Sequence, residues 1–430
     1  MKILVILNYQ REIPPFWQMQ IKYARNIFER IIFVTPKLRN DNSDTITSNT
    51  TQVVEISRTQ RVLSCLYTLL LTWFRPRFVK ELYHSKRSGV SLCKRLKHLL
   101  TIEFVTHNIT STTEKALTQM GLRSDITVFA GWFANEALAA GYFKKKFPNI
   151  KTFSFAHSYE IHPGRNPLMP YCYNTFKHNF VDKVFFISET MRQLYDEGTD
   201  FRYHNLLKSK SEVHYLGTQK LFKEFGGPST DGAFRICTCS SMVALKRLPL
   251  LMSAVKKWNL GKIVWTHLGG GPLYDSLVEE AGRICANQNI EIIFKGKIPN
   301  NEVQKFYANN PVDLFLNISE VEGLPVSIME AASYSIPILA TDVGGTKEIV
   351  DDSNGCLVPP SIDREELLSK IKAFYYLSQA EKQELRNYSW KVWNDRFNSS
   401  LTGPVLWKTI SEIKSINGAP DKPCGVLCRC

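Results

Sequence analysis

Short apolar runs alternate along the chain with longer stretches whose apolar residues recur at helical spacing. In the first half "KILVIL" leads into "PPFWQMQIKYARNIFE", then come "RIIFVT", "ITVFAGW" with "ANEALAAGYFKKKF", and "KTFSFAH". A second series begins near residue 233 with "FRICTCS" and "RLPLLMSAVKKW", "IVWTHLGGG" and "LYDSLVEEAGRICA", "IEIIFKG", "VDLFLNIS" and "PVSIMEAASYS", "IPILATD" and "GCLVPP". Buried strands alternating with helices predict parallel sheets covered on both faces, the α/β class. The intervening "LKSKSEVHYLGTQKLFKEFGGPSTDG" is rich in Gly, Ser and charge and predicts a linker. Two Rossmann-like doubly wound domains follow, 1–219 and 220–400, with a closing helix and tail at 401–430. At 430 residues the chain is longer than one hydrophobic core usually serves.

Composition adds little to this until charge is considered. Apolar residues make up 44% and charged residues 22%, ordinary for a folded protein. The formal charge of +14 is concentrated: residues 57 to 100 hold ten Lys and Arg against one acid, Glu81. Such a patch seeks an anion, whether nucleic acid, an anionic membrane surface or a phosphorylated substrate. The basic residues lack an interleaved aromatic platform, which argues against nucleic acid. Beside them "VLSCLYTLLLTWF", residues 62 to 74, falls short of the ~18 apolar residues a membrane span needs. It suits either a segment lying on a membrane surface or a buried helix. The N-terminal "MKILVILNYQ" reads as a first strand rather than a signal peptide, so the ten cysteines are expected to stay reduced. Cys424, Cys428 and Cys430 in the tail lack a nearby fourth ligand for zinc.

Three loops of the second half carry chemistry. Open parallel sheets bind ligands beyond the carboxyl ends of their strands, where loops enter helices. In "CSSMVALKRLPLL", Lys246 and Arg247 stand at a helix entry, a place that favours a cation only when an anion also binds there. In "HLGGGPLYDSL", Gly269, Gly270 and Gly271 allow close backbone approach, with Pro272 near the next helix's first turn. In "SEVEGLPVSIMEAASYSIPILATDVGGTKEIV", Pro325 suits the first helical position, so the amides of Gly323 and Leu324 should face an anion. Glu322 lies in that loop and Glu330 on the helix, and carboxylates accept hydrogen bonds from sugar hydroxyls. Gly344 and Gly345 give a further close approach.

These ordered motifs, from about residue 230 to 360, resemble the Glu-x7-Glu signature of the retaining glycosyltransferases of family 4, which have the two-Rossmann GT-B architecture with domains facing a central cleft. The resemblance implies that Lys246 binds the donor diphosphate and that Glu322 with the backbone of Gly323 and Leu324 meets the transferred sugar. It further implies that Glu330 holds the ribose, that Lys297 and Ile298 border the base, and that Arg247 and Gly270 lie on the donor side. The arginine that many relatives carry five residues before the lysine is Ser241 in this chain, and Arg247 is the nearest substitute.

The first half resembles the acceptor domain of bacterial glycosyltransferases that build surface polysaccharides. "FSFAHSYE" stands where relatives have a His-Gly-Tyr-Asp segment, followed downstream by "ISE" and "LGT". By that resemblance His157 contacts the hexose or acceptor, Glu160 lies on the acceptor side, and the last helix returns to the first domain. The implied reaction is retaining transfer of a hexose from a nucleotide-diphosphate sugar to a lipid-linked saccharide at the inner face of the plasma membrane, with no metal or other cofactor. A nucleotide-sugar 2-epimerase shares the architecture and is the rival within enzymes; a basic nucleic-acid-binding protein is the rival outside them.

Overall fold

The computed structural model describes residues 1–10, 15–36, 48–121, 125–168, 172–198, 208–285 and 289–413. They divide into two compact units, the first made of Met1–Ile187, Met191–His214 and the segment from Leu406, the second of Ser188–Thr190 and Tyr215–Val405.

Seven strands form the sheet of the first unit: β1 (Ile3–Leu7), β2 (Arg30–Thr35), β3 (Thr51–Glu55), β4 (Ile126–Ala130), β5 (Lys151–Ala156), β6 (Lys183–Phe186) and β7 (Ser211–Val213). Their order is β3-β2-β1-β4-β5-β6-β7, and every pairing is parallel. Val5 of β1 lies opposite Ile32 and Val128, and all five β1 residues are buried, as expected for a central strand covered on both faces. Strand order reverses between β1 and β4. Two strands escape the sequence pattern. β3 is a half-exposed edge strand, and β7 is a half-buried three-residue strand inside the segment read as linker. The long segment of the second unit accordingly begins at Tyr215.

Six strands form the second sheet: β8 (Phe234–Cys239), β9 (Ile263–Leu268), β10 (Ile290–Phe294), β11 (Leu314–Asn317), β12 (Ile338–Thr341) and β13 (Gly355–Val358). The order β10-β9-β8-β11-β12-β13 is again parallel throughout and reverses between β8 and β11. Trp265, Leu251, Met252, Leu316 and Leu339 lie in one buried cluster, each such side chain contributing about 1.5–3 kcal/mol of transfer free energy. Helix Ser399–Glu412 ends in the first unit. There Trp407 is fully buried against Phe28 and Phe129, ring centroids 6.0 and 5.2 Å away.

Helix Arg58–Leu71 is inverted. Its buried residues are Ser64 and Thr68, one turn apart. Ser64 Oγ bonds His107 Nδ1 at 2.8 Å, and Thr68 Oγ1 donates to the Ser64 carbonyl at 2.8 Å. Leu63, Leu66, Leu69 and Leu70 face outward, more than half exposed, and Phe74 beyond the helix is 83% exposed. Of the two readings the sequence left open, a buried helix does not hold. Among the described residues no helix is long and apolar enough to cross a membrane.

Candidate functional site

Of the residues expected to bind a donor, Lys246 and Glu322 meet where the second sheet reverses its strand order, the position at which open parallel sheets leave a crevice. β8 ends at Cys239 and the chain turns through Ala244–Lys246. The Lys246 ammonium forms an ion pair with the Glu322 carboxylate, which stands in the loop after β11. Glu322 is 8% exposed, and its Oε1 also accepts from Asn317 Nδ2 at 3.3 Å. Asn317 closes β11, and its own carbonyl oxygen accepts from Ser319 Oγ at 2.6 Å, which fixes the amide's orientation. A backbone bond from Glu320 N–H to the Leu245 carbonyl, 2.9 Å, ties the two loops together.

The glycines after β12 are required by this packing. Gly344 has φ +55°, and a Cβ there would lie 2.0 Å from the Glu322 carbonyl oxygen. A Cβ on Gly345 would lie 2.6 Å from the Gly323 oxygen, which accepts the Gly345 N–H at 2.6 Å. Gly323 and Leu324 are buried in the same turn. Helix Val326–Ser333 follows, with Pro325 as its cap rather than its first residue. Ile328 N–H donates to the Pro325 carbonyl at 3.2 Å, while the amides of Val326 and Ser327 precede the first intrahelical acceptor.

Glu330 lies on that helix, 6% exposed, and its Oε1 accepts from Asn300 Nδ2 at 2.6 Å. Burial pushes its carboxyl up to about 7, with the Asn300 bond pulling the other way. The glycine loop after β9 packs backbone to backbone on its neighbours: Gly269 N–H donates to the Gly296 oxygen at 3.0 Å, and a Cβ on Gly270 would meet the Lys297 nitrogen at 3.1 Å. The following helix starts at Tyr274, so Pro272 precedes it. Lys297 is exposed, and Ile298 lines a cavity of about 300 Å³ with Leu268, Lys295 and Phe306. Arg247 is directed elsewhere. Its guanidinium donates to the carbonyls of Pro360 at 2.5 Å and Ile362 at 2.8 Å, so the cation that meets Glu322 is Lys246.

In the first unit His157 follows β5 and caps a one-turn helix, Ser158–Ile161, in which Glu160 Oε2 accepts the His157 backbone N–H at 3.1 Å. The imidazole packs beside Trp132, ring centroids 4.2 Å apart, and burial lowers its pKa to about 3, so the ring is neutral. Glu160 is 2% exposed; burial first, then the charge of Glu136, pushes it up to about 8. Glu136 accepts the Tyr9 N–H at 2.9 Å, tying the loop after β1 to the helix after β4, and burial raises it to about 7. The triplet Leu216-Gly217-Thr218 belongs to the second unit, where Thr218 Oγ1 accepts from Trp393 Nε1 at 2.9 Å.

Sequence reasoning overlooked Asn317, Asn300, Trp132 and Glu136. Asn317 left a trace, as a polar residue closing an otherwise apolar strand. The others become visible only once distant segments meet. Among the described residues no group of three or more His, Cys, Asp or Glu is arranged to hold a metal ion. The tail cysteines and residues 11–14 lie outside the described residues.

Residues 222–391 match the family model for glycosyl transferases group 1. Among curated proteins, the O-antigen biosynthesis glycosyltransferase WbnH of Escherichia coli is 41% identical over 96 residues, 22% of this chain and 25% of WbnH. The sulfoquinovosyl transferase SQD2 of Arabidopsis thaliana is 24% identical over 173 residues, 38% of this chain and 32% of SQD2. The chain thus spans only a quarter to a third of the length of these relatives. Among solved structures, Anabaena HepE in complex with UDP superposes with a TM-score of 0.65 at 14% identity, covering 96% of this chain and all of that one. The trehalose-6-phosphate synthase OtsA in its apo form gives 0.68 at 14% identity, covering 96% and 100%. The chain therefore has two parallel-sheet Rossmann-like domains of the GT-B fold, and residues 222–391 are similar to the group 1 glycosyl transferases.

Proposed function

We propose that this protein is a retaining glycosyltransferase that moves a hexose from a nucleotide-diphosphate sugar to a lipid-linked saccharide during assembly of a surface polysaccharide. The observation that carries this reading is the Lys246–Glu322 ion pair at the strand-order reversal, with Glu330 buried on the helix that follows.

In this reading the Lys246 ammonium and the first-turn amides of helix Val326–Ser333 compensate the charge that develops on the departing diphosphate. Glu322 and the backbone of Gly323 and Leu324 hold the hexose, Glu330 accepts from the ribose hydroxyls, and Lys297 with Ile298 borders the base. The acceptor oxygen bonds to the anomeric carbon on the face from which the diphosphate leaves; the anomeric carbon–phosphate oxygen bond breaks, and the acceptor proton passes to a diphosphate oxygen. That sequence needs positioning rather than a protein base. His157, held neutral, serves as a hydrogen-bonding partner for sugar, and Glu160 orients it. Support comes from relatives whose names refer to O-antigen and colanic acid biosynthesis, and from HepE, solved with UDP-glucose.

The inverted helix Arg58–Leu71 supports a membrane-associated acceptor. Its outward leucines, followed by Trp73 and Phe74, lie in a stretch of sequence that also carries the exposed Arg58, Lys80 and Lys94, and apolar area with positive charge is the combination that binds anionic bilayers. The protein then works as a peripheral enzyme on the inner face of the plasma membrane.

The reaction is tested by supplying the purified chain with nucleotide sugars and lipid-linked saccharide acceptors and determining the anomeric configuration of the new linkage by NMR. Retention relative to the donor is the expected result. Inversion, or epimerised nucleotide sugar formed without acceptor, contradicts it.

A further inference from the structure

The first unit holds an open cavity of about 460 Å³ that the proposed reaction does not use, lined by Arg75, Arg77, helix Leu92–Gln119 and the last turns of helix Asn135–Lys146. Arg75, Arg77, Lys145 and Lys146 line it against two carboxylates, Glu103 and Glu114. Both carboxylates are committed. Glu103 is 2% exposed, accepts from Tyr173 Oη at 2.5 Å and pairs with Arg75 at 3.2 Å. Glu114 pairs with Lys146 at 2.8 Å.

Arg77 and Lys145 form no ion pair among the described residues. The Arg77 guanidinium lies over the Phe176 ring at 3.9 Å and over the Tyr142 ring at 5.0 Å. Its Nη1 is buried and has no hydrogen-bond partner. The Arg77 side chain as a whole is half-buried and lines the cavity with no carboxylate partner among the described residues, and an oxyanion suits a guanidinium so placed.

We propose that this cavity is an anion site, separate from the donor site, that binds a phosphate or pyrophosphate group through Arg77 and Lys145 with Arg75 and Lys146 as flanking charge. Trp73 and Phe74, 46% and 83% exposed, immediately precede Arg75, so an apolar surface adjoins the cavity in sequence. A phosphorylated lipid and a free phosphorylated solute share the required headgroup chemistry.

The test uses the full chain carrying Lys246→Gln, which removes the cation of the donor site, titrated with inorganic pyrophosphate and followed by phosphorus NMR. Adding Arg77→Gln or Lys145→Gln is expected to weaken binding about tenfold or more. Lys145 is exposed, so its substitution leaves the fold intact and keeps the test valid should the Arg77 variant misfold. Pyrophosphate binding that is absent, or equal with and without the cavity substitutions, overturns the proposal. A second arm sediments the proteins with phosphatidylcholine vesicles containing phosphatidic acid. Where pyrophosphate binding depends on Arg77, vesicle retention that depends on it too supports the site with a lipid headgroup as its ligand, and no such retention supports it with a free oxyanion. Neither arm relies on glycosyl transfer, so the site stands or falls apart from the proposed reaction.

Discussion

Asn300 donates its side-chain amide to Oε1 of Glu330 at 2.6 Å, across two helices of the second unit. This bond favours the ionised carboxylate while burial opposes it, and the balance leaves the group at about 7. Ribose hydroxyls bind the ionised form best. Donor affinity, measured by calorimetry, is therefore expected to rise as pH passes upward through about 7 and then level off. Glu330→Gln removes the step, and Asn300→Ala moves it to higher pH.

Lys246→Gln leaves Glu322 with Asn317 as its remaining side-chain partner and removes the cation assigned to the leaving diphosphate. Turnover is expected to fall on the order of 10²–10³-fold. Arg247→Gln provides the contrast. Its guanidinium holds the carbonyls of Pro360 and Ile362, so a lowered melting temperature with turnover kept within a few-fold is the expected outcome.

Gly344→Ala forces a left-handed backbone onto a residue with a Cβ and drives that carbon into the Glu322 carbonyl. A loss of about 1–3 kcal/mol in denaturant unfolding is expected, together with reduced donor affinity, because the displaced carbonyl belongs to the site itself.

Glu160 makes stability depend on pH in an unusual direction. Its carboxyl is raised from 4.5 to about 8, so the folded state binds the proton more tightly than the unfolded chain. The resulting stabilisation is complete below 4.5 and disappears as pH rises through about 8. The melting temperature of the natural protein is expected to fall relative to Glu160→Gln across that window.

Replacing Leu66, Leu70 and Phe74 together by serine changes side chains that are 51%, 64% and 83% exposed. Stability is expected to change little, since each is a surface substitution. Sedimentation with anionic vesicles should drop sharply. Unchanged sedimentation argues against a bilayer as the partner of this face.

The two sheets were legible because their central strands are buried on both sides and read as unbroken apolar runs. β3 and β7 were not, since a half-exposed edge strand carries no such run. The long helix Leu92–Gln119 buries Glu103, Asn108, Thr112 and Thr113 among Leu99, Ile102, Val105, Ile109, Ala116 and Leu117, so polar residues interrupt the apolar stripe on its inner face. In the site, Lys246, Glu322 and Glu330 could be named from their places after strands and at helix starts. What Arg247 does depends on where the segment 360–362 lies, and Asn300 meets Glu330 only through the fold. Neither relationship has a sequence spacing.

In the proposed reaction the second unit holds a nucleotide sugar with Glu330 on its ribose. Saturation-transfer NMR with a panel of nucleotide sugars, on the natural protein and on Glu330→Ala, tests it most directly. Strong transfer to the ribose protons of at least one donor is expected, lost in the variant while the melting temperature shows it still folded. A folded natural protein that gives no transfer to any nucleotide sugar, or ribose contacts that persist in Glu330→Ala, contradicts it.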